Sequence, residues 1–228
     1  CKGKITIENS RFLGAHDDPI NIHGTHLAVT GYPASNQIAV KYMHHQTYGF
    51  QSFLPGNEIE FIDPHSLMSL APAKVKKAEM KNEREILLTL DRNIPQNIRE
   101  IKELVVENVT YTPEVLIRDN YFARIPTRGI LVSTRRKVLI ENNTFFRMQM
   151  SGILIADDAR SWFESGMARD VTIRNNNFIE CGGPVILIAP ENDRNEGYVH
   201  RNIAITNNRF QLTGADAVSA KSVDGLKI

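Results

Sequence analysis

Val138-Leu-Ile-Glu-Asn-Asn-Thr-Phe145 is the stretch that decides the fold, because its form, apolar-x-Ile-x-Asn/Asp-Asn/Ser-x-Phe, occurs five times along the chain. The other copies are Ile5-Thr-Ile-Glu-Asn-Ser-Arg-Phe12, Val115-Leu-Ile-Arg-Asp-Asn-Tyr-Phe122, Val171-Thr-Ile-Arg-Asn-Asn-Asn-Phe178 and Ile203-Ala-Ile-Thr-Asn-Asn-Arg-Phe210. A second apolar run follows each Phe: Ile20-Asn-Ile22, Ile130-Leu-Val132, Ile153-Leu-Ile155, Ile186-Leu-Ile188 and Val218. Successive copies start 110, 23, 33 and 32 residues apart, which a basic coil of 23 with insertions of 87, none, 10 and 9 reproduces. Period-2 alternation sends one set of side chains inward. Recurrence every coil then stacks Ile on Ile and Phe on Phe. Burying one such Phe contributes roughly 1.5–3 kcal/mol. The pattern predicts an all-β chain, a right-handed parallel β-helix with a small inserted antiparallel β-module. A leucine-rich-repeat horseshoe also carries Asn after a strand, but its Leu-x-x-Leu-x-Leu spacing is absent and each coil here holds at least two strands.

The column Asn9, Asp119, Asn142, Asn175, Asn207 falls where the chain must bend. Asn tolerates left-handed φ, and stacked amides can hydrogen-bond along the axis, so both roles are expected of this column. The large insertion places β-helix coils at 1–27 and 111–228 and a barrel-like module at 28–110. Strands are expected there at Gln37–Met43, Glu58–Ile62, Glu85–Leu90 and Leu104–Asn108, between Pro and Gly turns. Lys74–Glu85, rich in Lys and Glu, is read as a short helix or a solvated ribbon.

Charge is almost balanced, with 27 basic and 26 acidic residues, which argues against a nucleic-acid surface. The longest apolar runs are strand-length, so no membrane span is expected. Two cysteines, Cys1 and Cys181, exclude a disulfide framework, and a bridge between residues so far apart in a solenoid is not expected. The chain opens on Cys-Lys-Gly and is in a strand by Ile5, so it reads as a piece of a longer protein. A homo-oligomer stays open.

The densest polar cluster is Ala15-His-Asp-Asp-Pro-Ile-Asn-Ile-His-Gly-Thr-His26. Glycoside hydrolysis needs one protonated and one ionised carboxyl. Adjacent carboxylates such as Asp17 and Asp18, roughly 6 Å apart at an effective dielectric of ~20, repel by about 3 kcal/mol, which favours one keeping its proton. Taken alone, an Asp-Asp-Pro is more often a capped turn; the dense polar flank of His16, Asn21, His23 and His26 tips the reading towards function. These histidines also suggest a zinc site, but their spacing matches none of the usual signatures. No cofactor is indicated. Counting six residues on from each repeat Phe aligns Asp18, Arg128, Ser151, Pro184 and Asp216, which puts Arg128 one coil, about 4.8 Å, from Asp18. There Arg128 would hold Asp18 ionised, bind a sugar hydroxyl, or form a plain structural ion pair. The loops after the second strand all leave the same edge and would wall a groove. They bring Asp157, Asp158, Trp162 and Glu164 from the third repeat, and Glu191 and Asp193 from the fourth. Trp162, the sole tryptophan, would stack on a sugar ring or anchor its own loop, the commoner fate.

His16-Asp-Asp-Pro-Ile-Asn-Ile-His-Gly-Thr-His26, with β-helix repeats and a β-module inserted just after it, resembles glycoside hydrolase family 110. The resemblance covers essentially the whole chain. It implies an exo-acting α-galactosidase that removes terminal α-1,3-linked galactose, including from blood-group B-type glycans, with inversion. It implies catalytic carboxylates at Asp17 and Asp18, a glycan ending in α-galactose as partner, and a periplasmic, extracellular or cell-surface location. Two readings compete: a pectin-type hydrolase or lyase, which shares the fold, and a non-catalytic carbohydrate-binding β-helix.

Overall fold

The computed structural model describes residues 2–228. Cys1 lies outside them, and Cys181 is buried with a free thiol. Three parallel sheets run the length of the solenoid. The first contains Lys4–Glu8, Glu114–Arg118, Lys137–Glu141, Asp170–Arg174, His200–Thr206 and Val223–Lys227. Its register sets Ile7, Ile117, Ile140, Ile173 and Ile205 in one inward column. The second sheet contains Arg11–Leu13, Tyr121–Ala123, Thr144–Phe146, Asn177–Ile179 and Arg209–Gln211. Each repeat Phe sits at the centre of one of these three-residue strands, and the five rings form a nearly parallel stack with centroids 4.8–5.1 Å apart. The third sheet contains Ile20–Ile22, Ile130–Val132, Ile153–Ile155, Ile186–Ile188 and Val218–Ala220. Three strands per coil enclose a continuous core of Ile, Val and Phe side chains.

The Asn column divides its two expected roles between neighbours. Asn9, Asp119, Asn142, Asn175 and Asn207 take left-handed φ of 52–56°, as the bend requires. The amide ladder belongs instead to the next residue. Asn120 Nδ2 donates to Asn143 Oδ1, Asn143 Nδ2 to Asn176 Oδ1 and Asn176 Nδ2 to Asn208 Oδ1, each at 3.0 Å. A residue in αL turns its successor's side chain inward, so Asn120, Asn143 and Asn176 are buried and Asn208, in the last of these turns, is half-buried.

The inserted module is a closed antiparallel barrel. Its strands run in the order Gly24–Ala34, Gln37–Lys41, Glu85–Leu90, Ser69–Met80, Glu58–Ile62 and Val105–Asn108, and the last pairs back onto the first. Closure leaves no free sheet edge. The barrel has its own core, including Leu27, Ile38, Phe61 and Leu88. Its first strand begins at Gly24, ahead of Ala28. Lys74–Glu85 is neither helix nor loose ribbon: most of it lies in Ser69–Met80, where Ala73 and Val75 face inward and the lysines outward. A register shift between Val75 and Lys77 breaks the alternation that would have marked it as a strand. The one helical turn of the module, Gln96–Arg99, lies elsewhere.

Candidate active site

The third sheet's outward face forms the floor of a cleft. Its strands alternate, so Asn21, Leu131, Leu154 and Leu187 stand in one outward column, in register. Above Asn21 the corner carries Asp17 and Asp18, and the loops after Ile153–Ile155 and Ile186–Ile188 supply Asp158, Trp162, Glu164 and Glu191. The resulting pocket of about 130 Å³ is lined by Asp17, Asp18, Arg128, Trp162, Glu164 and Glu191, with Asn21, Leu131, Leu154, Ala156 and Asp158 beneath and beside them. Residues from four places in the chain therefore meet at one edge of the solenoid.

Asp18 is held by three contacts from the next coil. Its Oδ1 accepts from the Arg128 backbone N–H at 3.0 Å and from Nε at 3.1 Å, and its Oδ2 lies 2.9 Å from Arg128 Nη2. The column arithmetic thus places this pair together despite the insertion between them. The guanidinium balances one of the two adjacent negative charges and fixes Asp18, whose side chain is only 5% exposed. Asp17 is exposed, and its Oδ1 accepts from the Asp18 backbone N–H at 2.8 Å.

Glu164 faces the same space. Its Oε1 accepts from Asn21 Nδ2 at 3.2 Å and lies 3.3 Å from His23 Nε2. His23 Nδ1 is 2.6 Å from the Gly24 carbonyl, which accepts only, so Nδ1 carries a proton. Glu164–Ser165 pairs with Gly24 and Thr25, which ties this loop to the barrel's first strand. A Cβ at Gly24 would collide with Ser165 Oγ, so a larger residue there would force that hydroxyl to turn away.

Asp158 is turned into its own loop. It accepts backbone N–H groups from Arg160 at 2.8 Å, Ser161 at 3.0 Å, Trp162 and Phe163. This cradle presents Trp162, which is 52% exposed and meets His44 of the barrel in a tilted ring pair at 4.7 Å. Burial, the negative charge of Asp158 and, more weakly, that of Glu164 raise the Glu191 pKa, against Lys221 and Arg160. Glu191 is therefore disposed to keep a proton.

Four expected site residues, His16, His23, His26 and Asp157, are not among those lining the cleft. His26 and Asp157 are fully buried beneath it, with His26 Nε2 3.0 Å from Asp157 Oδ1. An inward-facing barrel-junction position, hidden from the sequence by the closeness of His26 to His23, removes both from contact with a sugar. His16 is exposed at the corner and is not among the pocket's lining residues. With His23 committed to Glu164 and His26 to Asp157, the three histidines do not converge, and no group of three or more His, Cys, Asp or Glu side chains is placed to hold a metal among the described residues. Asp193 lies outside the cleft, paired with His65 at 3.0 Å and Arg160 at 2.7 Å. The floor residues Leu131, Leu154 and Ala156 carried no signal in the sequence beyond their place in the repeat.

The description "right handed beta helix region" matches residues 105–225, and "GLAA-B beta-barrel domain II" matches residues 37–101. The chain belongs to the right-handed β-helix family. Among curated relatives of this β-helix protein, alpha-1,3-galactosidase A of Bacteroides thetaiotaomicron is 54% identical over 100% of the chain and 40% of its own length. Alpha-1,3-galactosidase A of Akkermansia muciniphila is 44% identical over 100% of the chain and 38% of its own length. Alpha-1,3-galactosidase B of the same organism is 38% identical over 99% of the chain and 30% of its own length. The chain thus spans two fifths or less of these relatives.

Proposed function

We propose that this β-helix is the catalytic portion of a glycoside hydrolase that removes terminal α-1,3-linked galactose with inversion, using Asp17 and Asp18. The observation that carries the reading is the cleft itself: Asp17, Asp18, Glu164 and Glu191 around a single Arg, with an exposed Trp beside an aliphatic floor. Carboxyls in both protonation states serve acid and base roles, and an aromatic with a free face suits the apolar side of a pyranose. The names of the relatives supply the sugar and the linkage. The pocket's small size, about 130 Å³, suits one terminal ring rather than an extended chain. Arg128 fixes Asp18 so that its carboxylate meets substrate in one orientation. Asp17, with a single backbone partner, is free to orient a water. An inverting reaction separates base and acid by about 6.5–9.5 Å to admit that water.

Hydrolysis of a panel of terminal α-galactosides, followed by NMR of the released anomer, tests the reading. The expected first product is β-galactose, and Asp17→Asn and Asp18→Asn should each lower kcat by about 10³-fold or more with far-UV circular dichroism unchanged, the scale of losing essential acid–base help. Dispensable aspartates, or no turnover of any galactoside, would sink the assignment and move the pectinase-like or carbohydrate-binding readings ahead, whereas α-galactose as first product would overturn inversion alone.

A further inference from the structure

A second cavity, about 330 Å³, lies beside the cleft where the barrel meets the solenoid. That volume falls at the lower end of the roughly 300–1,000 Å³ typical of ligand sites. Its walls are His23 and Thr25 at the start of the barrel's first strand, Phe50, Gln51 and Ser52 from a barrel loop, and Tyr111 where the chain returns to the solenoid. The two spaces share one partition: His23 lines the second, its ring is bound to Glu164, and Glu164 lines the first. We propose that this cavity is a second sugar subsite, which takes a pyranose neighbouring the terminal galactose; the inference rests on the reading of the adjoining cleft as a glycan site.

Three features carry it. Phe50 is 47% exposed although it belongs to a module with a well-filled core, and only one side of its ring meets Tyr42, at 5.1 Å. An exposed aromatic beside polar groups is the arrangement that binds one apolar face of a ring while hydroxyls are hydrogen-bonded at its rim. Polar capacity is present there. Gln51 uses its amide nitrogen on the Phe53 carbonyl at 2.6 Å, and among the described residues its Oε1, the Thr25 hydroxyl and the Tyr111 hydroxyl take no side-chain partner. The wall is also firmly built. Asn108 Nδ2 donates to the Ser52 carbonyl at 2.7 Å and to Asn57 Oδ1 at 2.9 Å, and the Tyr42 hydroxyl engages both Ser52 and the Phe50 carbonyl. The Phe50–Ser52 segment is thus pinned through the Phe50 and Ser52 carbonyls and the Ser52 hydroxyl, while the Phe50 ring and Gln51 Oε1 are left to face a ligand. This gives the barrel insertion a function: it supplies the far wall of a two-ring site whose near wall is the solenoid.

The test compares methyl α-galactoside with linear and branched trisaccharides ending in α-galactose, reading KM by initial rates and binding by saturation-transfer NMR on the whole protein. At least one trisaccharide should bind about tenfold or more tightly than the one-ring glycoside. Phe50→Ala, and separately Gln51→Trp to fill the cavity, should each erase most of that advantage through KM while leaving methyl α-galactoside hydrolysis unchanged. Equal affinity for all glycans, equal losses on one-ring and three-ring substrates, or variants that change neither would overturn the subsite. If no galactoside is turned over, but another multi-ring glycan binds and loses affinity in both variants, the subsite stands and the galactosidase reading alone falls.

Discussion

Adjacent asparagines in this chain do opposite things, and the difference is measurable. Asn142 adopts φ of 56° at the surface of the bend, where its main asset is tolerance of left-handed backbone. Asn143 is fully buried, and its carboxamide serves the coils on both sides: Oδ1 accepts from Asn120, and Nδ2 donates to Asn176 and to the Ile117 carbonyl. Asn143→Ala strands several buried partners at once and should lower unfolding free energy in urea by about 2–4 kcal/mol. Asn142→Gly should stay within about 1 kcal/mol of wild type. Equal costs at the two positions would refute the division. The sequence displays the doublet plainly but not which member is buried, because the αL residue interrupts the period-2 rule at that point. A second buried residue gave no sequence signal. His200 accepts the Ala168 N–H through Nδ1 at 3.0 Å, and burial, helped by Arg169, pushes its pKa down to about 3 from 6.5. Its folded form therefore resists protonation that the unfolded chain accepts. The stability it contributes is complete above pH 6.5 and is lost as pH falls towards 3, with a slope approaching ~1.4 kcal/mol per pH unit. His200→Gln, which keeps an acceptor for Ala168, should flatten urea-measured stability across that window by nearly one proton.

At the level of elements, what could be read from sequence followed from how strictly each one repeats. The five Phe-centred strands and their partners were legible because stacking makes every coil impose the same pattern on the next. The barrel was legible in part: Gln37–Lys41 and Glu85–Leu90 alternate cleanly. Gly24–Ala34 was not, since it starts inside the polar cluster and carries Gly31 and Pro33, and Ser69–Met80 was masked by its bulge. The carboxylate cluster of the site was legible because all its loops leave one edge. The inward fate of His26 and Asp157 was not, because it depends on a barrel that closes against the solenoid. The loop from Asp158 to Glu164 shows how an element without regular structure is made rigid. One carboxylate gathers consecutive backbone N–H groups and thereby presents Trp162 and Glu164 to the cleft. Asp158→Ala removes the acceptor without touching the solenoid core. It should reduce kcat/KM on α-galactosides by about 10–100-fold, a loss of positioning, while the thermal midpoint moves by only a few degrees. A collapse of the whole fold would assign Asp158 to global stability instead.

On the scale of the whole molecule, two cores built on different rules must hold one geometry if a site is to form between them. The junction does this with charge. His26, Glu107 and Glu60 lie side by side on three neighbouring barrel strands, in register, and face the solenoid. There Glu107 meets Arg135 Nε at 2.9 Å, Glu60 meets Arg135 Nη2 at 2.9 Å, and His26 meets Asp157. On the barrel's surface such a row would be solvated; here Glu107 is buried. Burial alone would raise its pKa, but Arg135 and then His26 outweigh it and hold the carboxyl below the usual range. A buried ion pair of this kind specifies which faces meet more than it adds net stability, and breaking one side is costly because a lone charge stays behind. Arg135→Met should therefore destabilise by about 3–5 kcal/mol. Because Trp162 packs against His44 across the junction, its fluorescence should report separation at lower denaturant than the far-UV signal of the strands. Arg135→Met combined with Glu107→Leu removes that pair together and should recover most of the lost stability. A single variant within about 1 kcal/mol of wild type, or coincident transitions by both probes, would show that apolar contact at Ile62, Leu67 and Met167 suffices to hold the two bodies together.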